Sequence, residues 1–206
     1  MARNCWGGLL IALDKTRLFI KEVFIQKIEY DHEKGFDFVI SDITKFFLTK
    51  KFSCRQYIMD NREFDKIETY FNSLDMSNKG LLFLRKLKLF IKQENYIKCL
   101  CHGDMHYNNI LFDGKKYYYI DFERVGEHFF LYDILSWIYC ESYYFGNDLL
   151  LNNYLNGKYD RQIREIFNLN KIAYDPRLKG IYMFIMLYER FGLQMPIKFI
   201  KYILDF

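Results

Sequence analysis

The chain has 206 residues, of which 51% are hydrophobic, and its formal net charge is +4. This length suits one domain, or one large lobe plus a fragment, with enough apolar side chains for a substantial core. The lysines are scattered along the chain, so we expect no nucleic-acid partner. The longest apolar stretch, 181–188, is too short to cross a bilayer, and residues 1–20 carry charges where a signal peptide would be apolar. We therefore expect a cytoplasmic protein without a membrane span.

The five cysteines are Cys5, Cys54, Cys99, Cys101 and Cys140. An odd number favours reduced thiols, in agreement with a cytosolic location. Cys99 and Cys101 are one residue apart, but no second Cys/His pair has zinc-finger spacing. We expect both to be buried as small hydrophobic side chains.

At the beginning of the chain, the apolar run 7–13, a polar turn at 14–16 and the run 17–21 predict a β-hairpin. Lys21 ends its second strand. Helical patterns then fill most of residues 39–96. One of these predicted helices is capped by Asn61, and the next starts at Ser77 or Asn78. Their predicted apolar stripes are Phe64, Ile67, Phe71 and Leu74 in the first, and Leu81, Leu84, Leu87 and Ile91 in the second.

The most informative segment begins at His102 and ends at Glu123. It contains His102-Gly103-Asp104, then Asn109, then a predicted hairpin, and finally Asp121. The hairpin consists of the apolar run 110–112, a tight Asp113-Gly114 turn and the run 116–120. Because a hairpin reverses the chain, it returns Asp121 to the side of Asn109, although twelve positions separate them.

An acid, an amide and a second acid at this spacing are the groups that a magnesium-dependent phosphoryl transferase needs. Asp104 can accept the proton of an attacking hydroxyl group, which predicts a catalytic base. Asn109 and Asp121 can hold Mg²⁺ and, through it, the phosphates of ATP, because Mg²⁺ accepts a neutral carbonyl oxygen beside a carboxylate. The sequence therefore predicts Mg²⁺ and ATP as cofactors.

Further helices are predicted after this segment. Residues 129–144 form a long buried one and 159–167 a shorter amphipathic one. Asp175-Pro176 supplies an N-cap and a first-turn proline for a helix that ends at Gly192. Pro196 marks the start of another.

The motifs His102-Gly103-Asp104, Asn109-Ile110-Leu111 and Ile120-Asp121-Phe122-Glu123 resemble the catalytic core of the aminoglycoside phosphotransferase and choline kinase superfamily. The resemblance continues at Tyr132-Asp133-Ile134-Leu135 and covers about residues 100–140. It implies a protein-kinase-like fold and transfer of the γ-phosphate of ATP to a hydroxyl group of a small molecule. The Asp-Phe-Glu ending is closer to choline and ethanolamine kinases, and to relatives encoded with bacterial surface-polysaccharide genes.

Several neighbouring residues receive expected roles. His102 should orient the loop through its ring, and Asp133 should accept hydrogen bonds from the loop backbone. For His106, loop packing and a contact with substrate remain equally open. Glu123 is a candidate for a second metal or a cationic acceptor.

The predicted fold class is α+β and protein-kinase-like. It combines a mostly helical catalytic lobe, residues 39–206, with a reduced or truncated β-rich N-terminal lobe, residues 1–38. A kinase-like N-terminal lobe normally supplies a lysine paired with a glutamate, for which Lys21 with Glu29 or Glu33 are candidates.

Two function classes follow. The first is an active small-molecule kinase, and the second is a truncated, catalytically inactive kinase-like lobe that acts as a binding module. A protein kinase is disfavoured because the twelve positions from Asp121 to Asp133 leave no activation segment that would dock a peptide.

Overall fold

The structure is a computed structural model that describes residues 28–48, 54–74, 77–93 and 95–204. Within these ranges the fold is mixed α/β and mostly helical. The helices are α1 His32–Leu48, α2 Asn61–Ser73, α3 Ser77–Lys92, α4 Tyr132–Tyr144, α5 Leu149–Leu155, α6 Asp160–Leu169, α7 Lys179–Phe191 and α8 Ile197–Leu204. The strands are β1 Arg55–Gln56, β2 Ile97–Cys101, β3 Ile110–Phe112, β4 Tyr117–Tyr119 and β5 Gly126–Phe129.

The segment from His102 to Glu123 connects two strands of one small antiparallel sheet and contains a second such sheet. One has the strand order β1-β2-β5, and the other is the β3-β4 hairpin. In the hairpin, Ile110 pairs with Tyr119 and Phe112 with Tyr117. The carboxylate of Asp113 accepts hydrogen bonds from the backbone of Lys115 and Lys116, which closes the turn. The predicted hairpin is therefore confirmed.

The core is built around α4 and α7. Both helices are buried over most of their length, from Tyr132 to Ser142 in α4 and from Lys179 to Leu187 in α7. A helix with apolar residues on all sides is stable only when other elements surround it. Helix α7 packs against α4 and α8, while α4 also contacts α1 and α5. Among the described residues, no helix combines the length and apolar character that a membrane span requires.

The predicted start of α2 was displaced by one residue. The N-cap is Asp60, whose Oδ1 accepts a hydrogen bond of 2.7 Å from the backbone N–H of Glu63. Asp60 has an extended backbone, as an N-cap requires, and Asn61 is the first helical residue. Ile67 and Phe71 are buried as predicted.

The apolar stripe predicted for α3 was partly wrong. Leu84 and Leu87 are buried, but Leu81 is 49% exposed. Phe83 and Phe90 occupy the core in its place. The Phe83 ring packs against Phe71 and Phe184, with centroids 5.0 and 5.2 Å apart, and this larger aromatic contact rotates the buried face of the helix.

The predicted helix at 129–144 begins three residues late, at Tyr132. Phe129 ends β5, where it pairs with Lys98 of β2. A short apolar run is compatible with either a buried strand or a buried helix, and here the ladder with β2 decides the outcome. Near the other end of the chain, Asp175 caps a 3₁₀ turn, Pro176–Leu178, that leads into α7, and α7 ends at Gly192 as predicted.

The hairpin predicted at 7–21 lies outside the described residues. The boundary predicted after residue 38 stays a prediction. Helix α1 runs continuously across this position and packs against α4 and α6.

One buried carboxylate joins α7 to the sheet. Glu189 accepts hydrogen bonds from the Tyr96 hydroxyl at 2.6 Å and the backbone N–H of Phe129 at 2.9 Å. Its carboxylate also lies 3.1 Å from Lys98 Nζ and 3.4 Å from His128 Nδ1. Burial alone would raise the pKa of Glu189, but these four partners outweigh it and lower the pKa below the ordinary value of 4.5.

We expect Glu189→Gln to reduce the free energy of unfolding at pH 7 by about 3 kcal/mol, because the half-buried Lys98 and His128 lose their carboxylate partner. A carboxylate with a lowered pKa contributes stability above its ordinary pKa, and this contribution is lost as the pH falls through the folded-state value. Denaturant titrations at several pH values should therefore show that the difference in free energy of unfolding between wild type and variant becomes smaller below about pH 4.

Glu165→Gln, at an exposed position of α6, is the matched control and should change stability little at any pH. A difference for Glu189→Gln that stayed constant down to acidic pH would show that its charge is not what stabilises the sheet.

Candidate active site

The loop that follows β2 is fixed by a buried histidine. The ring Nε2 of His102 lies 2.8 Å from the carbonyl oxygen of Ile120. Because a carbonyl oxygen only accepts, Nε2 carries the hydrogen, and the ring ties the start of the loop to the residue before Asp121. The other ring nitrogen, Nδ1, is buried and has no hydrogen-bond partner within the described residues. The expected orienting role of His102 is confirmed.

Asp133, at the beginning of α4, holds the same loop from the opposite side. Its Oδ2 accepts a hydrogen bond of 2.8 Å from the backbone N–H of His102, and its Oδ1 accepts one of 3.0 Å from Gly103. Burial raises the pKa of Asp133, and the two N–H groups partly offset this by favouring the carboxylate. The expected contact with the loop backbone is confirmed.

Gly103 allows the loop to pass close to the residues after Asp121. Its φ is +83°, and a Cβ atom at this position would lie 2.0 Å from the carbonyl oxygen of Arg124. A side chain here would be strained and would also collide with backbone. Gly103 therefore brings the loop that contains Asp104 against the turn that begins at Asp121.

The Asp104 carboxylate is partly accessible, with 18% of its side chain exposed, and it has two neighbours. Arg190 Nη2 of α7 donates to Oδ1 at 2.9 Å, and His106 Nε2 lies 3.9 Å from Oδ2. Sequence reasoning missed Arg190. It stands 86 positions after Asp104, and no motif connects the two.

The side-chain amide of Asn109 is oriented by the loop. Its Nδ2 donates to the carbonyl oxygen of Asp104 at 2.8 Å. The amide orientation is thereby set, and Oδ1 accepts no hydrogen bond within the described part of the chain. The backbone carbonyl oxygen of Asn109 in turn accepts a hydrogen bond of 3.0 Å from the backbone N–H of Ile120. Asn109 is therefore connected both to Asp104 and to the residue before Asp121.

Asp121 has an unusual backbone conformation. Its φ and ψ are 61° and 65°, in the left-handed region, which costs about 1–3 kcal/mol for a residue other than glycine. The side chain is exposed and makes no capping hydrogen bond to the 3₁₀ turn, Phe122–Arg124, that follows. A strained residue with an exposed carboxylate next to the Asn109–Ile120 hydrogen bond is typical of a functional site.

His106 lies beside Asp104, with its Nε2 3.9 Å from Oδ2. Its Nδ1 accepts a hydrogen bond of 3.2 Å from the backbone N–H of Asn108, so it caps the 3₁₀ turn that leads to Asn109. Burial lowers the pKa of His106, while the charges of Asp104 and Asp121 act in the opposite direction. Loop packing is thus observed, and a contact with substrate remains open.

A second ring, that of His32, also supports the loop. The His32 ring stacks on Tyr107, with centroids 3.7 Å apart, and His32 Nδ1 lies 2.7 Å from the buried carboxylate of Glu141. The contacts of His32 explain how α1 reaches the segment that carries Asp104 and Asn109.

The donor set fits Mg²⁺ bound together with a nucleotide. Among the described residues, no group of three His, Cys, Asp or Glu side chains is arranged to hold a metal ion by itself. Mg²⁺ usually binds one or two protein oxygens and completes its shell with phosphate oxygens and water. The Asp121 carboxylate and Asn109 Oδ1 supply this kind of incomplete set.

The remaining candidates from the sequence are Glu123, Glu33, Lys21 and the two cysteines. Glu123 is exposed in the turn after Asp121. Glu33 pairs with Lys158 and accepts a hydrogen bond from Asn153, while Lys21 lies outside the described residues. Cys99 and Cys101 are buried as expected, with their Sγ atoms 3.8 Å apart.

Residues 83–165 match the family model described as the phosphotransferase enzyme family, APH. The match includes Asp104, Asn109 and Asp121, and it confirms the resemblance to the aminoglycoside phosphotransferase and choline kinase superfamily. Arg190 lies outside the matched segment. No curated protein and no solved structure gave a significant match to the chain.

Proposed function

We propose that this chain, whose residues 83–165 match a phosphotransferase family, transfers the γ-phosphate of Mg-ATP to a hydroxyl group of a small molecule. The observation that carries the proposal is the connected arrangement of three residues. Asn109 Nδ2 donates a hydrogen bond to the backbone carbonyl of Asp104. The backbone carbonyl of Asn109 accepts one from the N–H of Ile120, which precedes Asp121. An acid for proton removal is thereby joined to two oxygen donors for a metal.

The residues divide the chemistry between them. Asn109 Oδ1 and the Asp121 carboxylate would hold Mg²⁺, which supplies positive charge to the nucleotide phosphates when bound. Asp104 accepts the proton of the acceptor hydroxyl while the hydroxyl oxygen bonds the γ-phosphorus. The bond from that phosphorus to the bridging oxygen breaks, and ADP leaves. Because Oδ1 of Asp104 is engaged with Arg190, its other oxygen, Oδ2, is the one we assign to proton transfer.

For the acceptor, the proposal favours a choline- or ethanolamine-like amino alcohol or a sugar of a surface polysaccharide. The support is the Asp121-Phe122-Glu123 ending, which resembles choline and ethanolamine kinases more than the forms that end in glycine. The exposed carboxylate of Glu123 lies in the turn directly after Asp121, where a cationic acceptor would find a counter-charge.

We expect Mg²⁺ and ATP together to raise the thermal unfolding midpoint of the wild-type protein, because a ligand that binds only the folded state stabilises it. At a ligand concentration of about 100 Kd, the stabilisation is about 2.7 kcal/mol. Asp121→Asn should abolish the gain that depends on Mg²⁺, since the amide removes the charge that a divalent cation requires. Differential scanning fluorimetry with ATP, in the presence of Mg²⁺ or of a chelator, measures the effect.

Glu165→Gln removes an acidic charge from an exposed site on α6 and should respond to Mg-ATP like the wild type. A wild-type midpoint that does not move at millimolar Mg-ATP would contradict the proposal and favour the binding-module alternative. An undiminished gain in Asp121→Asn would remove Asp121 from the metal site.

A further inference from the structure

We propose that Arg190 is a positioning residue for phosphoryl transfer, holding the Asp104 carboxylate so that one oxygen faces the acceptor. This inference rests on the proposed function, since it assigns Asp104 the role of base. The guanidinium donates from Nη2 to Asp104 Oδ1 at 2.9 Å. An arginine forms such charge-assisted bonds with a fixed direction, because its donors are held in a planar fork.

The guanidinium is itself held on its other side. Its Nη1 donates to Ser136 Oγ of α4 at 3.3 Å, and only 8% of the Arg190 side chain is exposed. The Tyr139 and Phe191 rings lie 6.0 and 5.7 Å from the guanidinium carbon. The Nη1 side of the guanidinium therefore lies between α4 and α7, and Nη2 reaches the loop. A side chain restrained in this way transmits its position to its partner.

The backbone that carries Arg190 is also fixed relative to the loop. The preceding residue, Glu189, binds Tyr96, Lys98, His128 and the backbone of Phe129. Lys98 and Phe129 belong to β2 and β5, and β2 leads directly into His102. The end of α7 is therefore attached to the sheet from which the loop starts, so Arg190 and Asp104 keep their separation.

Arg190 also remains a cation in this setting. Burial works against its charge, but the neighbouring Cys140, Tyr132 and Asp104 outweigh burial and raise the pKa of the guanidinium. The guanidinium thus keeps the charge that strengthens its bond to Asp104 Oδ1. With Oδ1 engaged, Oδ2 of Asp104 is left on the side of His106, whose Nε2 is 3.9 Å away.

The test compares Arg190→Met, Arg190→Lys and Ser136→Ala by steady-state kinetics. Arg190→Met should lower kcat about 10- to 100-fold, because a displacement of about 1 Å at a reacting group has effects of this size. The KM for ATP should stay within about threefold, since Arg190 contacts neither Asn109 nor Asp121 in the described structure. Arg190→Lys should recover part of kcat because it restores a cation at Oδ1. Ser136→Ala, which removes the hydrogen bond to Nη1 but keeps the bond from Nη2 to Oδ1, should lower kcat less than Arg190→Met does.

A double-mutant comparison separates positioning from general damage. In an Asp104→Asn background, where there is no base to position, Arg190→Met should add little further loss of kcat. If the two losses multiply, or if Arg190→Met retains wild-type kcat, Arg190 does not act through Asp104 and the inference is wrong.

A crystal structure of Arg190→Met decides the same question without any activity. We expect the Asp104 carboxylate to occupy a second rotamer or to move by about 1 Å, because nothing else in the described structure donates to Oδ1. An Asp104 carboxylate that superimposes on the wild type overturns the inference. Wild-type protein that transfers no phosphate would contradict the proposed function alone, and the crystallographic result would still stand. Should Arg190→Met not fold, Arg190→Lys and Arg190→Gln provide the same comparison.

Discussion

Asp104→Asn is expected to lower kcat for phosphoryl transfer by about 10²- to 10⁴-fold, the range typical for loss of a general base. An asparagine has the same shape and can still accept the hydrogen bond from Arg190 through its Oδ1, so the loop should keep its conformation. An amide, however, does not take up the proton of the acceptor hydroxyl. The stabilisation by Mg-ATP, measured from the variant's own midpoint without ligand, should therefore stay close to that of the wild type.

The measurement is steady-state turnover on the best acceptor found, with thermal unfolding recorded on the same preparations. Glu165→Gln, which replaces an exposed carboxylate outside the site, is the control for loss of a charge. Near wild-type kcat in Asp104→Asn would exclude Asp104 as the base. A parallel loss of Mg-ATP stabilisation would instead assign Asp104 to nucleotide binding.

Gly103→Ala is expected to have the largest effect on stability. The left-handed backbone of Gly103 costs an alanine about 1–2 kcal/mol, and overpacking typically adds about 1–3 kcal/mol. Here the added Cβ would meet the carbonyl oxygen of Arg124 at 2.0 Å, a backbone atom that cannot rotate away. We expect a loss of at least about 3 kcal/mol, which corresponds to a midpoint lower by about 6–12 °C for a chain of this size.

Gly146→Ala is the matched control. Gly146 also has a positive φ, +65°, but apart from its chain neighbours no described residue has an atom within 4 Å of the position that its Cβ would take. Its replacement should therefore cost only the backbone strain, about 1–2 kcal/mol. Equal losses for the two variants in a denaturant titration would show that the approach of Gly103 to Arg124 is not needed for the fold.

The local parts of the site were predictable from the sequence because neighbours along the chain determine them. The turn at Asp113-Gly114 sets the pairing of Ile110 with Tyr119, and this register carries Asp121 back toward Asn109. The loop contacts of Asp133 followed from its place in the family motif. The hairpin thus contains both its signal and its contacts, whereas Asp133 lies 30 positions from Gly103 and was linked to the loop by the resemblance alone.

Contacts between distant segments were not predictable in this way. Arg190 is one of three charged residues on the mostly apolar helix α7, and the packing of α7 against α4 and β5 brings it to Asp104. The partners of Glu189 lie 60 or more positions away along the chain. Periodicity identifies which face of a helix is buried but not which helix or loop it meets. The strand at Phe129 was missed for the same reason, since its partner is β2.

The central claim is that the arrangement of Asp104, Asn109 and Asp121 transfers phosphate to a hydroxyl group. The most direct measurement incubates the wild-type protein with γ-labelled ATP, Mg²⁺ and a panel of amino alcohols and sugars, and follows the label into each acceptor. We predict label in at least one acceptor. The transfer should depend on Mg²⁺ and should fall about 10²- to 10⁴-fold in Asp104→Asn, which lacks the base. Label that appears only as inorganic phosphate, or in no acceptor at all, would contradict the claim.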